Sequence, residues 1–130
     1  MGIEYYNYNS DVTPNYVRLK VGAIKEVMSS AVPCAEIWLF GSYAYGKPHQ
    51  YSDFDLFVVL ADSNMNIIEA LQKIWSDVYH SYSKYPTGYL KNLDILADHV
   101  TSFYKDTEDT SFEMTIKKKG IKIYDQSSCI

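Results

Sequence analysis

Hydrophobic residues recur along this chain with two different periods. Val17, Val21, Ile24, Met28 and Ala31 return every three or four residues, which predicts a helix with one apolar face running to about Val32. Thr13 then Pro14 is a helix start, a capping hydroxyl followed by proline in the first turn, and Pro33 ends the run. Glu36 to Phe40 predicts a short buried strand. Asp53 to Leu60 is the strongest strand pattern, and its second half is apolar at every position, which predicts a place inside a sheet. An amphipathic helix follows, capped by Ser63 or Asn64, with a stripe of Ile67, Leu71, Ile74, Val78 and Tyr82. Trp75 lies beside that stripe and is expected in the core with it. Pro86 and Gly88 break the chain. Leu90 to Ala97 predicts a third strand with Asp94 in its middle. A helix from about Asp109 to Lys118, stopped at Gly120, and a short strand over Ile121 to Tyr124 complete an α/β unit. The expected organisation is an N-terminal arm over 1–12, one domain over 13–126 and a tail over 127–130.

Composition narrows the function. The chain has 130 residues, 47% of them hydrophobic, enough for one domain with a core. Sixteen acids against twelve bases give a formal charge of −4. Bulk binding to nucleic acid is therefore not expected. No apolar run approaches the roughly 20 residues of a membrane span, and the polar, tyrosine-rich N-terminus does not read as a signal peptide. Cys34 and Cys129 stand far apart, which suits a reducing cytoplasm better than a disulfide scaffold. His49, His80 and His99 show no metal-ligand spacing and read as loop, helix surface and strand end. Lys117, Lys118 and Lys119 read as a solvated helix terminus favoured by the helix dipole.

The chemistry is concentrated between Gly41 and Leu60. Asp53 and Asp55 lie two apart on a strand, so both carboxylates leave the same face, with Cα atoms roughly 6–7 Å apart. Two like charges that close call for compensation, and a divalent cation such as Mg²⁺ supplies it to hard oxygen ligands. Gly41-Ser42 falls where a strand turns into a short helix. Glycine lets backbone N–H groups approach phosphate oxygens, and the serine hydroxyl adds a donor. A phosphate cradle beside a carboxylate pair predicts a nucleoside triphosphate bridged to Mg²⁺. The spacing is not that of a Walker P-loop. Asp94, between Leu93 and Ile95, is the candidate third acid, because a charge there needs a partner. Asp98 has the same parity and ranks second. Tyr43, Tyr45 and Tyr51 flank the phosphate loop, where one could stack on a nucleobase as readily as fill surface.

Gly41-Ser42, ten residues, then Asp53-x-Asp55, an apolar strand and a later hydrophobic-Asp-hydrophobic strand resemble the nucleotidyltransferase superfamily of DNA polymerase β. The closest likeness is to its minimal nucleotidyltransferases, the MNT members of MNT–HEPN toxin–antitoxin pairs. The resemblance implies a single domain with a mixed β-sheet and helices packed on it, two Mg²⁺ ions and ATP as substrate. It implies Asp53, Asp55 and Asp94 as metal ligands and catalytic residues, with Asp94 helping to deprotonate the acceptor. Gly41 and Ser42 would bind the β and γ phosphates. Many relatives carry an arginine in an Ala-Arg-Gly stretch after Gly-Ser; here the stretch is Ala44-Tyr45-Gly46, and Lys47 is the candidate substitute. The implied activity is transfer of AMP to a tyrosine hydroxyl of a HEPN ribonuclease toxin, which silences it. A small-molecule nucleotidyltransferase of aminoglycoside type and a non-catalytic toxin-binding antitoxin are the competing readings. The first lacks an acceptor-holding module in this sequence.

Overall fold

The computed structural model describes residues 14–46, 53–85, 88–105 and 111–128. Helix α1 (Pro14–Ala31) buries Val17, Val21, Ile24, Val27, Met28 and Ala31, one face of a 3.6-residue period. It stops before Pro33, whose ring disfavours helical geometry at the preceding residue. Strand β1 (Cys34–Phe40) follows directly and begins earlier than the Glu36 expected from the sequence. A four-residue helix, α2 (Ser42–Tyr45), then leads toward β2 (Phe54–Leu60).

Helix α3 (Ile67–His80) starts later than Ser63 or Asn64 would have it. Asp62 Oδ1 accepts the Asn64 N–H at 2.9 Å and Asp62 O accepts the Met65 N–H at 3.1 Å. That turn occupies the expected cap, so Asn66 caps instead, accepting the Glu69 N–H at 3.0 Å. The buried stripe is Ala70, Ile74 and Val78; Trp75 is 39% exposed, so it is not core. It projects about 100° round the helix from the buried Ile74. A 3₁₀ turn at Tyr82–Lys84 takes up Tyr82.

Strand β3 (Leu93–His99) is shifted relative to the expected Leu90–Ala97. Lys91 N–H donates to Gly88 O at 3.0 Å, and Asn92 adopts φ 57°. Asparagine tolerates that left-handed geometry, and the turn it makes leaves Leu90 buried in the core but outside the strand. Asp94 is thus the second residue of β3, and His99 ends it. Its Nε2 donates to the Met65 carbonyl at 2.6 Å. Helix α4 (Val100–Lys105) was not expected. Helix α5 (Phe112–Lys119) is capped by Ser111, which accepts the Met114 N–H at 3.1 Å. Strand β4 (Ile121–Asp125) closes the fold.

The sheet order is β3-β2-β1-β4. β1 runs antiparallel to β2 and β4, and β2 runs parallel to β3 through the α3 crossover. The two central strands are those with near-continuous apolar sequence, as burial on both faces requires. Ile37, Leu39, Leu56, Val58, Leu60 and Ile95 join α1 and α3 in one apolar layer. Trp38, Phe40, Phe57 and Val59 join Phe103 of α4 and Ile116 of α5 in a second. Phe103 is fully buried, 5.2 Å from the Phe57 ring and 6.0 Å from the Trp38 ring. That packing is what makes a six-residue helix hold, since propensity alone does not sustain so short a segment. At the same face Glu36, though charged, is buried and satisfied. It accepts from Trp38 Nε1 at 2.8 Å and from Tyr104 OH at 2.7 Å, and pairs with Lys122 at 3.2 Å. No helix among the described residues is long and apolar enough to cross a membrane.

Candidate active site

Parallel pairing of β2 with β3 sets Asp55 directly opposite Asp94. Neighbouring strands lie about 4.8 Å apart and directly opposed residues share a face, so the two carboxylates leave the sheet side by side. On the other flank of Asp55, β1 contributes Phe40 in register. Asp53 precedes β2 with the parity of Asp55; it is exposed, Asp55 half-buried and Asp94 exposed. Burial pushes the Asp55 carboxyl up to about 6, and the charges of Asp94 and then Asp53 push the same way. Of the three acids grouped from the sequence, Asp94 and Asp53 thus both act on Asp55 through their charge.

Among the described residues, no group of three or more His, Cys, Asp or Glu stands close enough to hold a metal ion as a set. Asp55 and Asp94 are the juxtaposed pair, and Asp53 is felt through its charge. The donor chemistry still fits a divalent cation: carboxylate oxygens only, with burial and the charges of Asp94 and Asp53 all disfavouring a negative charge on Asp55.

Gly41 ends β1 beside this pair. Its φ of 75° and ψ of −151° belong to a region that only glycine occupies readily. A Cβ there would overlap Asp55 Oδ2 and come within 2.9 Å of Asp55 Cγ. The glycine thus lets the bend lie flat against the Asp55 carboxylate, a stronger reason for its presence than the turn alone. The Gly41 carbonyl accepts from the N–H groups of Ala44 and Tyr45 at 3.0 Å each, which winds α2. Ser42, half-buried, is the first residue of that helix. Lys47, Tyr51 and His49 lie outside the described residues.

Other sequence candidates separate here. Asp98 shares the face of Asp94 but pairs with Val59, four residues and about 13 Å further along the strand; its Oδ1 accepts the His99 N–H at 2.7 Å. Tyr43 is 2% exposed with its ring 4.2 Å from that of Phe54, so it builds core rather than a base platform. Tyr45 is exposed. Lys117 does more than face solvent: its Nζ donates to the Phe103 carbonyl at 2.7 Å and lies over the Phe103 ring, pinning α5 to α4. One residue near the acids escaped the sequence reading. Lys20 is 2% exposed on the inner side of α1. The available signal was its position three after Val17 and one before Val21, on the apolar stripe itself.

The comparisons with known proteins bear on the family and the fold. No curated protein matches the sequence. A Sulfolobus solfataricus protein ascribed nucleotidyltransferase function has a similar fold, with a TM-score of 0.58 at 18% identity, covering 86% of this chain and 85% of that one. A toxin–antitoxin structure with AMP-PNP gives a TM-score of 0.51 at 20% identity, and a toxin–antitoxin MntA-HpeT mutant gives 0.51 at 18%; each covers 83% of this chain and 75% of its own. The family model for the nucleotidyltransferase domain matches residues 21–127, most of the α/β unit and all of the acid-bearing strands, and the chain belongs to that family.

Proposed function

We propose that this chain is an antitoxin that transfers AMP from ATP, with Mg²⁺, to a tyrosine hydroxyl of a cognate HEPN ribonuclease toxin. The observation that carries the catalytic part is the in-register pair Asp55 and Asp94 with Gly41 folded against it. The toxin part is supported by the toxin–antitoxin neighbours, one of them with AMP-PNP.

In this reading Asp53, Asp55 and Asp94 hold the metal. A divalent cation held by these carboxylates would supply Lewis-acid stabilisation to the acceptor oxygen and to the leaving pyrophosphate. Gly41 and Ser42 offer backbone N–H groups and a hydroxyl to the β and γ phosphates, and Lys47 is assigned from the sequence alone as the substitute for the arginine of related proteins. The acceptor oxygen forms its bond to the α-phosphorus as the bond from that phosphorus to the β-bridging oxygen breaks. Pyrophosphate leaves with the electron pair. Asp94, exposed at the rim and opposite Asp55, takes the hydroxyl proton and returns it to solvent. Phe40 and the apolar layer behind it keep water from the inner side of Asp55, which strengthens every charge interaction at the pair.

The test is incubation of the chain with α-labelled ATP, Mg²⁺ and the HEPN ribonuclease proposed as its partner, sought among the products of the neighbouring genes. Label on a tyrosine of the partner is expected with the wild type and is expected to vanish with Asp53→Ala plus Asp55→Ala. Tight complex formation without label would replace transfer by simple binding, and label on an added aminoglycoside would replace the protein acceptor by a small molecule.

A further inference from the structure

Lys20 is out of keeping with its surroundings. An ammonium 2% exposed in an apolar layer is strongly disfavoured unless it is held by partners. Its Nζ donates to the Lys91 carbonyl at 2.6 Å and sits 5.1 Å from the centre of the Phe54 ring and 5.7 Å from that of Tyr16. Burial pushes this ammonium down to about 8, while the charge of Asp53 works in the opposite direction. The cation is therefore close enough to the head of β2 to be felt there. The carbonyl it holds belongs to the residue before Asn92, the left-handed turn residue. The Asn92 carbonyl in turn accepts the Phe54 N–H at 2.8 Å, at the start of the β2–β3 pairing. Two residues further on, Asp94 stands opposite Asp55.

We propose that Lys20 is a positioning residue: by holding the Lys91 carbonyl, its ammonium fixes where β3 joins β2 and keeps Asp94 beside Asp55. Among the described residues β3 has a strand neighbour on one side only, so its register rests on the pairing with β2 and on the turn before it, where Lys20 holds the Lys91 carbonyl. A slip of one residue would turn Asp94 to the opposite face. For stability alone, an apolar side chain of similar length would fill this space without burying a charge. A donor tied to one particular carbonyl gives what an apolar side chain cannot, a fixed register at the strand that carries an acid. The inference rests on the reading of Asp53, Asp55 and Asp94 as a cation site.

Titration calorimetry with Mn²⁺ in the presence of AMP-PNP tests it, on the wild type, Asp94→Asn, Lys20→Met and Lys20→Arg. Lys20→Met is expected to lose roughly tenfold in Mn²⁺ affinity, as supporting residues around metal ligands do, and to approach Asp94→Asn. Lys20→Arg, which keeps a charged donor, is expected to recover most of it. Hydrogen exchange of the Phe54 amide should quicken in Lys20→Met and not in Asp94→Asn. A wild type that takes up no Mn²⁺ would refute the cation site itself. A wild type that binds, with Lys20→Met losing less than about fivefold, overturns the role of Lys20 alone, as does an equal loss in Lys20→Arg and Lys20→Met. If circular dichroism shows Lys20→Met unfolded, Lys20→Arg decides: a loss above about fivefold overturns the proposal and a smaller one supports it.

Discussion

Replacing Gly41 by alanine probes the site through the backbone. Two separate costs arise. The first is conformational: φ 75° with ψ −151° is glycine territory, and another residue held there costs about 1–3 kcal/mol. The second is steric and depends on Asp55. The new Cβ would overlap Asp55 Oδ2 and lie 2.9 Å from Cγ and 3.3 Å from Cβ, so the carboxylate must leave its place beside Asp94. Overfilling a packed site of this kind costs about 1–3 kcal/mol more. The two parts can be told apart with a double-mutant cycle. In an Asp55→Ala background the carboxylate is gone and only the 3.3 Å contact with Cβ remains. Gly41→Ala should then cost only the conformational share, and the coupling between the two sites should be about 1–3 kcal/mol. Urea denaturation at pH 7 measures the four stabilities. The labelling assay run in parallel should find Gly41→Ala nearly as inactive as Asp55→Ala. Equal destabilisation by Gly41→Ala in both backgrounds, or full transfer activity in the single variant, would refute the account of Gly41 as the residue that makes room for Asp55.

Three further outcomes follow from the same geometry. The Asp55 carboxyl is pushed up to about 6 from an ordinary 3.8, so between these values the folded chain holds a proton that the unfolded chain has released. Without divalent cations, stability should therefore fall as pH rises from about 4 to 6, by no more than about 3 kcal/mol and less with solvent screening; Asp94→Asn should flatten this slope in urea titrations with EDTA, and an unchanged slope would mean that Asp94 does not act on Asp55. Glu36→Ala removes the acceptor of Trp38 Nε1 and Tyr104 OH, for about 1–3 kcal/mol of lost stability. Its register partner is Val59, towards the far end of β2 from Asp55, so transfer by the folded fraction should be unaffected; a slowed rate would argue that the far end of the sheet is linked to the acids. Trp75→Gln, on the exposed side of α3, should stay within about 0.5 kcal/mol of wild type by thermal melting, and a larger loss would show that the indole packs as core after all.

What could be read from the sequence was whatever depended on period and parity. The unbroken apolar run after Asp55 has one physical explanation, burial on both faces, and β2 lies inside the sheet. Asp53 and Asp55 share a face by parity alone; Asp94 does pair opposite Asp55, but it is exposed, so its apolar neighbours do not bury a charge in need of a partner, as the sequence reading had supposed. The misreadings arose where a local hydrogen bond outbid the pattern. Leu90 is as apolar as a strand residue, yet the Asn92 turn places it before β3. Asn64 is a good capping residue, but Asp62 had already taken its N–H. Helix α4 shows only Val100, Phe103 and Tyr104 over six residues, too short for a period, and it exists because Phe103 fits between Trp38 and Phe57. Trp75, expected in the core, is 39% exposed, while Tyr43, one of three tyrosines left open between stacking on a base and filling surface, does neither and packs on Phe54. Lys20 was invisible to a hydrophobic count because its chemistry is carried by a backbone carbonyl seventy-one residues away.

The position of β3 at the border of the sheet has one more consequence. A strand bonded along a single side is among the first parts of a fold to come loose on warming, well before the interior gives way. One acid of the pair rides on that border strand and the other on a strand bonded along both sides. If Asp55 and Asp94 are the catalytic pair proposed above, loosening of this border strand is expected to part the two carboxylates while α1, β1 and β2 still stand, so that transfer fails below the melting temperature of the sheet.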